Sequence, residues 1–223
     1  MSFSDNYFQA RDSFRQIAGK LAMAQTAHAV GGDELTIDVA TYSASQSAPT
    51  LIISSGLHGP EGFIGSAIQL RLMCNWLNST LPQNIRIVLV HALNPFGFAH
   101  LRRWNESDVD LNRNFMLPGE SYSGCHETYR SLDPLLNPKA PPSNWDLFSL
   151  RAAGLVLRYG LQNVKQAIAQ GQYEYPAGLF YGGNQLQETG VIVEREIGEW
   201  VADSSRVVHL DIHSGLGKYG THK

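Results

Sequence analysis

The feature that most constrains the fold is a short apolar run that stops at a glycine and leads into an amphipathic helix. Residues 51–55 read LIISS and are followed by Gly56, a pattern that predicts a buried strand of a parallel sheet. In residues 61–78 the apolar side chains recur at intervals of three and four, which predicts a helix. A strand that leads directly into a helix is typical of α/β domains.

The rest of the chain continues this alternation. Apolar spacing predicts further strands at 35–42, 85–92 and 206–212. The same criterion predicts helices at 5–18, 143–170 and 188–202.

Three details qualify these predictions. Residues 35–42 alternate apolar and polar side chains, as a half-exposed edge strand does, and the helix at 143–170 is broken near Gly160. Residues 93–142 have no sustained period and are predicted to form a long loop, which in a compact domain is functional or disordered. We therefore expect one α/β domain over residues 1–223. Its sheet is predicted to be mixed and largely parallel, with helices on both faces.

Composition excludes several classes of protein. The 17 basic and 20 acidic residues give a net charge of −3, which gives no electrostatic reason to expect a nucleic-acid or anionic-membrane partner. Cys74 and Cys125 are too few for a disulfide scaffold and lack metal-binding spacing. The sequence shows neither a signal peptide nor a run of about 18 apolar residues. We expect a cytoplasmic protein without a membrane span.

The loop between the first predicted strand and its helix carries a candidate metal-binding motif. His58 and Glu61 are three residues apart in GLHGPEG, at the carboxyl end of a strand, where open α/β sheets place their ligands. Imidazole nitrogen and carboxylate oxygen are donors that Zn²⁺ accepts. The H-x-x-E spacing is also common by chance, and a glutamate in a first helical turn stabilises the helix dipole without any metal.

A second set of polar side chains lies in the last predicted strand. His209, Asp211 and His213 alternate with apolar residues, so the three share one face, and the strand ends directly after His213. A catalytic zinc needs three protein ligands and an open position, so His58, Glu61 and His213 form a candidate His₂Glu set. The alternative is a buried strand whose polar side chains are satisfied within the core.

The aperiodic segment between these motifs is rich in arginine and asparagine. Residues 94–115 contain three arginines and four asparagines. A guanidinium offers a planar fork that suits a carboxylate or an oxyanion. The alternative is a loop that uses asparagine for its turns and arginine for solvation.

A dinucleotide site is a further alternative. Gly215-x-Gly217-x-x-Gly220 follows a predicted strand with the spacing of a dinucleotide-binding loop. It lacks the helix and the later acidic residue that such a site requires.

In this order the motifs resemble those of the zinc carboxypeptidase superfamily. That superfamily includes carboxypeptidase A-like peptidases and succinylglutamate desuccinylase/aspartoacylase-like amidohydrolases, and the resemblance favours a bacterial, peptidase-like branch. Together the motifs are specific, although no single one is. The matching pieces span residues 50–215 and are His58-x-x-Glu61, Asn94-Pro95-x-Gly97, Arg103-x-Asn105, Asp110-Leu111-Asn112-Arg113-Asn114-Phe115 and Ile212-His213-Ser214.

The resemblance implies a role for each matching residue around the metal. Zinc would be held by His58, Glu61 and His213. Arg103 would polarise the scissile carbonyl and stabilise its oxyanion, and the neighbouring Arg102 could take this role instead.

The resemblance also implies a substrate site. Asn112 and Arg113 would bind the free carboxylate of the substrate. Asp211 and His209 are candidates for orienting or tuning the metal ligands.

The implied activity is zinc-dependent hydrolysis of an amide bond in a peptide, close to a free carboxylate. The alternatives are an N-acyl amino acid amidohydrolase of the desuccinylase/aspartoacylase type and a catalytically inactive zinc-containing binding module. In the superfamily a glutamate on a strand after the third ligand acts as general base. Here ten residues follow His213 and none of them is acidic, so we expect the C-terminal part of the family's domain to be missing from this chain.

Overall fold

The computed structural model describes residues 3–32, 34–43, 45, 47–141, 143 and 145–214. Within them the chain alternates helices and strands, and the predicted α/β fold is confirmed. The helices are α1 (Tyr7–Lys20), α2 (Gly62–Leu77), α3 (Pro95–His100), α4 (Glu127–Leu136), α5 (Phe148–Tyr159), α6 (Leu161–Ala169) and α7 (Glu188–Val201). The strands are β1 (Ala24–Ala29), β2 (Thr36–Ser43), β3 (Thr50–Ser55), β4 (Arg86–His91) and β5 (Val207–Ile212). Short 3₁₀ turns are formed by Gly59–Glu61 and Leu111–Arg113.

The described strands form one mixed sheet in the order β1-β2-β4-β3-β5. β3 pairs in parallel with both β4 and β5. β2 pairs in antiparallel fashion with both β1 and β4. The sheet is mixed, as predicted, but it has two parallel and two antiparallel pairings rather than being largely parallel.

Two further differences concern the antiparallel side of this sheet. β1 has no counterpart among the predicted strands, because its sequence, AQTAHA, lacks large apolar side chains and is mostly exposed. β2 was predicted to be a half-exposed edge strand. Instead it lies between β1 and β4, and its first five residues are buried.

The segment that was predicted to be a long loop contains two helices. α3 has six residues, too few to show a helical period, and the side chain of Asn94 caps it by accepting from the Gly97 amide. α4 carries Pro134 inside the helix, which hides its pattern in the sequence. The predicted break at Gly160 is confirmed, since this residue has a φ of +80° between α5 and α6.

Helices cover both faces of the sheet. α1 and α2 pack on one face, over a core of Phe14, Ala18, Met23, Ala40, Ile53, Leu70, Met73, Ile87 and Leu89. Arg86 precedes Ile87 in β4 and so points to the other face, where its Nε donates to the Trp200 carbonyl of α7 at 3.0 Å. The predicted placement of helices on both faces is confirmed.

Contacts within the chain define two compact units, Met1–Glu106 with Glu188–Lys223, and Ser107–Gln187. The first contains the sheet. The second contains α4, α5 and α6 around a small apolar cluster of Leu132, Val164 and Ala167. The single domain stays a prediction. No helix in the described part of the chain has both the length and the apolar character that crossing a membrane requires.

The backbones of Gly59 and Gly97 lie in direct contact. A Cβ atom built on Gly59 would lie 1.9 Å from the carbonyl carbon of Gly97. This contact fixes the Gly59–Glu61 turn against α3, and only a glycine permits it.

We expect Gly59→Ala to lower the free energy of unfolding by about 3 kcal/mol, because backbone has to move to admit the methyl group. Chemical denaturation measures the change. Gly198→Ala is the matched control, since a Cβ at this position in α7 meets no atom within 4 Å. That variant should gain about 0.5–1 kcal/mol from helix propensity. Wild-type stability of Gly59→Ala would contradict the close contact.

Candidate metal centre

Two adjacent parallel strands end at the candidate metal centre. β3 and β5 are paired in parallel, with Ser55 opposite Ile212 at their carboxyl ends. The segments that leave these strands therefore start side by side. His58 follows β3 by three residues and His213 follows β5 directly, so the strand pairing brings together two ligand candidates that are distant in sequence.

The turn between β3 and α2 positions the other ligand candidate. Gly56 has a φ of +71°, which disfavours any residue with a side chain. Pro60 is the second residue of the 3₁₀ turn, and the Glu61 amide donates to the His58 carbonyl at 3.1 Å. This short turn places the His58 and Glu61 side chains next to each other.

His58, Glu61 and His213 converge on one point. Each offers one ligand atom, and these atoms all lie within 4.8 Å of one another. Nδ1 of His58 is 3.1 Å from Glu61 Oε1, and Nδ1 of His213 is 3.7 Å from Glu61 Oε2. In a tetrahedral zinc site, bonds of about 2.0–2.2 Å put neighbouring ligand atoms about 3.4 Å apart. Both the donor types and their spacing therefore fit a metal ion.

The three side chains of the centre differ in their exposure to solvent. The side chain of His58 is 5% exposed, that of Glu61 16% and that of His213 33%. Burial disfavours ionisation of Glu61, but hydrogen bonds from His58 and from the Ser214 amide outweigh it, so its pKa is lowered. Glu61 is therefore a carboxylate near neutral pH, the form that binds metal.

A hydrogen-bonded chain lies behind His213. Its Nε2 contacts Asp211 Oδ2, and the other Asp211 oxygen accepts from the hydroxyl of Ser54. The Ser54 hydroxyl is also 2.8 Å from Nε2 of His209. Burial raises the pKa of Asp211, but the hydrogen bonds from His213 and Ser54 outweigh that effect and lower it.

The structure bears on two alternatives to a metal site, a helix-dipole role for Glu61 and a buried strand at β5. Glu61 precedes α2 but makes no capping hydrogen bond to it, and its carboxylate faces the two histidines instead. β5 is not a buried strand among the described residues, because its first four residues are exposed.

Ser54 was missed by the sequence analysis. A serine inside the run LIISS carries no signal of its own. The register of β3 against β5 could have found it, because Ser54 pairs with Asp211 and thus shares a face with it.

The two candidate oxyanion residues lie just after α3. The carbonyl of Arg103 accepts from the side chain of Asn94 at 3.3 Å. The guanidinium of Arg102 lies 5.7 Å from the centre of the Trp104 ring. The oxyanion role of Arg103 or Arg102 stays a prediction.

Asn112 and Arg113 lie in the Ser107–Gln187 unit, in the turn Leu111–Arg113. Asn112 is exposed. Nε and Nη2 of Arg113 both donate to the Ala169 carbonyl at the end of α6, and Nη1 donates to the Asn112 carbonyl at 2.8 Å. Carboxylate binding by this pair stays a prediction.

The same motif contains a residue with a structural role. The Asn114 side chain is buried, donates to the carbonyls of Gly182 and Gln185, and accepts from the Gln187 amide. The glycines of the dinucleotide alternative, Gly215, Gly217 and Gly220, lie outside the described residues.

The fold and the centre together define an α/β protein with a candidate metal site at the carboxyl ends of two parallel strands. The chain belongs to the family described as "Protein of unknown function (DUF2817)", whose model matches residues 3–223. No curated protein matches the chain.

Several solved structures are similar to this chain. Carboxypeptidase A from Helicoverpa armigera is 15% identical, with a TM-score of 0.47. The match covers 100% of this chain and 67% of the carboxypeptidase chain. A protein from Shewanella frigidimarina, assigned as a succinylglutamate desuccinylase/aspartoacylase, is 21% identical (TM-score 0.45), covering 86% and 46%. A protein from Shewanella baltica, assigned as a metallopeptidase, is 20% identical (TM-score 0.38), covering 74% and 53%.

The chain thus spans about half the length of the two Shewanella proteins. The similar structures include a protein from each of the two branches named in the resemblance.

We expect the chain to bind one zinc ion and His58→Ala to lose it. Removing an outer partner of a ligand weakens metal binding about 10–100-fold, so removing a ligand should weaken it more. Competition with a chromophoric chelator measures the affinity.

His100→Ala is the matched control, because His100 is exposed and lies outside the group of three. It should bind zinc like the wild type. Stoichiometric, tight zinc binding by His58→Ala would refute the ligand assignment.

Proposed function

We propose that this chain carries the metal centre of a zinc-dependent hydrolase that cleaves an amide bond near a free carboxylate, as a carboxypeptidase-like metallopeptidase does. The observation that carries the proposal is the convergence of His58, Glu61 and His213 beside the ends of β3 and β5. Two histidines and a glutamate form the ligand set of several zinc peptidases. The cytoplasmic location inferred from the sequence is part of the same proposal.

The three ligand residues are suited to this chemistry. When bound, zinc lowers the pKa of a water molecule and polarises a carbonyl group, which are the two requirements of amide hydrolysis. Glu61 supplies negative charge to the ion, and the two imidazoles supply neutral donors. Because His213 is one-third exposed, the centre is open to solvent on that side, which gives a substrate a route to it.

Two arginines complete the proposed apparatus. Arg103, with Arg102 as the alternative, would stabilise the negative charge that develops on the carbonyl oxygen. Arg113, with Asn112, would bind the substrate carboxylate. Backbone carbonyls accept from three of the five N–H groups of the Arg113 guanidinium, which leaves two that could donate to a substrate carboxylate.

Two other functions share this apparatus. An N-acyl amino acid amidohydrolase uses the same metal and binds the same kind of free carboxylate. A zinc-containing binding module would hold the same metal through the same ligands without turning over a substrate.

One set of assays separates these functions. The zinc-loaded chain is incubated with peptides that have a blocked N-terminus and a free C-terminus, and separately with N-acyl amino acids. We expect zinc-dependent release of C-terminal residues from the peptides. Turnover of N-acyl amino acids alone would establish the amidohydrolase instead. Bound zinc without turnover of either substrate would support the binding module, and failure to take up metal would overturn all three functions.

We expect Arg113→Ala to raise KM for substrates with a free carboxylate and to leave kcat nearly unchanged. The loss of a charged hydrogen bond costs about 1.5–3 kcal/mol, which corresponds to a roughly 10–100-fold rise in KM. Each substrate is compared with its carboxamide, for which the mutation should have little effect.

This pairing controls for the structural bonds of Arg113, because loss of structure would impair turnover of the acid and of the amide alike. An unchanged preference for the acid over the amide would remove the proposed role.

A further inference from the structure

The two ring nitrogens of His213 have different surroundings. Nε2 contacts Asp211 Oδ2, whereas Nδ1 lies 3.7 Å from Glu61 Oε2, on the side of the candidate metal centre. A neutral imidazole carries one proton, and an ionised carboxylate can only accept. The contact with Asp211 therefore holds the proton on Nε2 and leaves the lone pair of Nδ1 directed toward the centre.

Asp211 is itself held in place from the neighbouring strand. Its Oδ1 accepts from the hydroxyl of Ser54, which is 1% exposed and pairs with Asp211 across β3 and β5. A hydroxyl has one proton to give. Since Ser54 gives its proton to Asp211, it accepts from Nε2 of His209, 2.8 Å away. Each hydrogen bond in this series therefore has one donor and one acceptor: His209 donates to Ser54, Ser54 donates to Asp211, and His213 donates to Asp211.

From these hydrogen bonds we infer that Asp211 and Ser54 are positioning residues for the metal ligand His213. Asp211 fixes the tautomer and the ring orientation of His213, and Ser54 fixes the orientation of Asp211. This inference rests on the proposed function in taking His213 as a ligand. Partners of this kind are worth about 10–100-fold in metal affinity. The alternative is that the same bonds only join β3 to β5, in which case metal affinity would not depend on them specifically.

Asp211→Asn tests the inference with little change of shape. The asparagine amide can turn an N–H toward Nε2, which favours the tautomer with the proton on Nδ1 and blocks metal binding there. We expect a 10–100-fold weaker zinc affinity, measured by chelator competition. Ser54→Ala leaves Asp211 in place but less fixed, so we expect a several-fold loss.

Ser55→Ala is the matched control. Ser55 is the next residue of β3, is equally buried, and points to the opposite face, where its hydroxyl donates to Gln69 at 3.0 Å. It should keep wild-type zinc affinity whatever it costs in stability. An equal loss of affinity in Ser54→Ala and Ser55→Ala, or wild-type affinity in Asp211→Asn, would overturn the inference.

A second measurement needs no metal. Nitrogen-15 NMR of the imidazole side chains distinguishes the two tautomers, and His213→Gln identifies the His213 signals. We expect the proton of His213 on Nε2 in the wild type and a shift toward Nδ1 in Asp211→Asn. The same tautomer mixture in both would overturn the inference. Failure of the wild type to bind zinc would overturn the proposed function, and with it the role of His213 as a ligand, whereas the tautomer measurement would still decide whether Asp211 orients His213.

Discussion

The parallel pairing of β3 with β5 joins chain segments that lie far apart in the sequence, and the candidate centre depends on it. His58 and His213 are 213 − 58 = 155 residues apart, and the Ser107–Gln187 unit accounts for 187 − 106 = 81 of these residues. Doubling the length of a flexible loop costs only about 0.6 kcal/mol in closure entropy. A whole unit can therefore separate β3 from β5 in the sequence at a small cost, provided that the two strands pair strongly.

The turn after β3 shows why its motif is informative. Its glycines are required by geometry, since Gly56 has a positive φ and Gly59 touches the backbone of Gly97. His58 and Glu61 are not required by that geometry. The turn would form without these two side chains, yet both converge with His213. Metal binding is the simplest reason for that convergence.

The sequence predicted the parts of the fold that have a strong apolar period. β3, α2, β4, α7 and β5 were placed to within a few residues. β1 was not, because its side chains are small or polar and its place depends on antiparallel pairing with β2. α3 and α4 were not, because a short length and an internal proline hide their period.

Some residues of the candidate centre could likewise be predicted from the sequence, and others could not. His58, Glu61 and His213 could be predicted because their types and spacing are typical of metal ligands, and a turn or a strand end brings each to the same edge. Ser54 could not, because its role arises only when β3 lies next to β5. The structural bonds of Arg113 to the Ala169 carbonyl also depend on tertiary contacts within the second unit.

His213 directly follows β5, although little of that strand is packed. Val207, Val208 and Leu210 are 43%, 48% and 52% exposed among the described residues. Apolar packing is the usual means of fixing a strand and the side chain that follows it, and here it is weak. Directional hydrogen bonds can orient a ring in a setting where packing does not, because they depend on the angles of a few atoms rather than on buried area. The hydrogen bonds through Ser54 and Asp211 connect the buried strand β3 to the candidate ligand His213 just after β5.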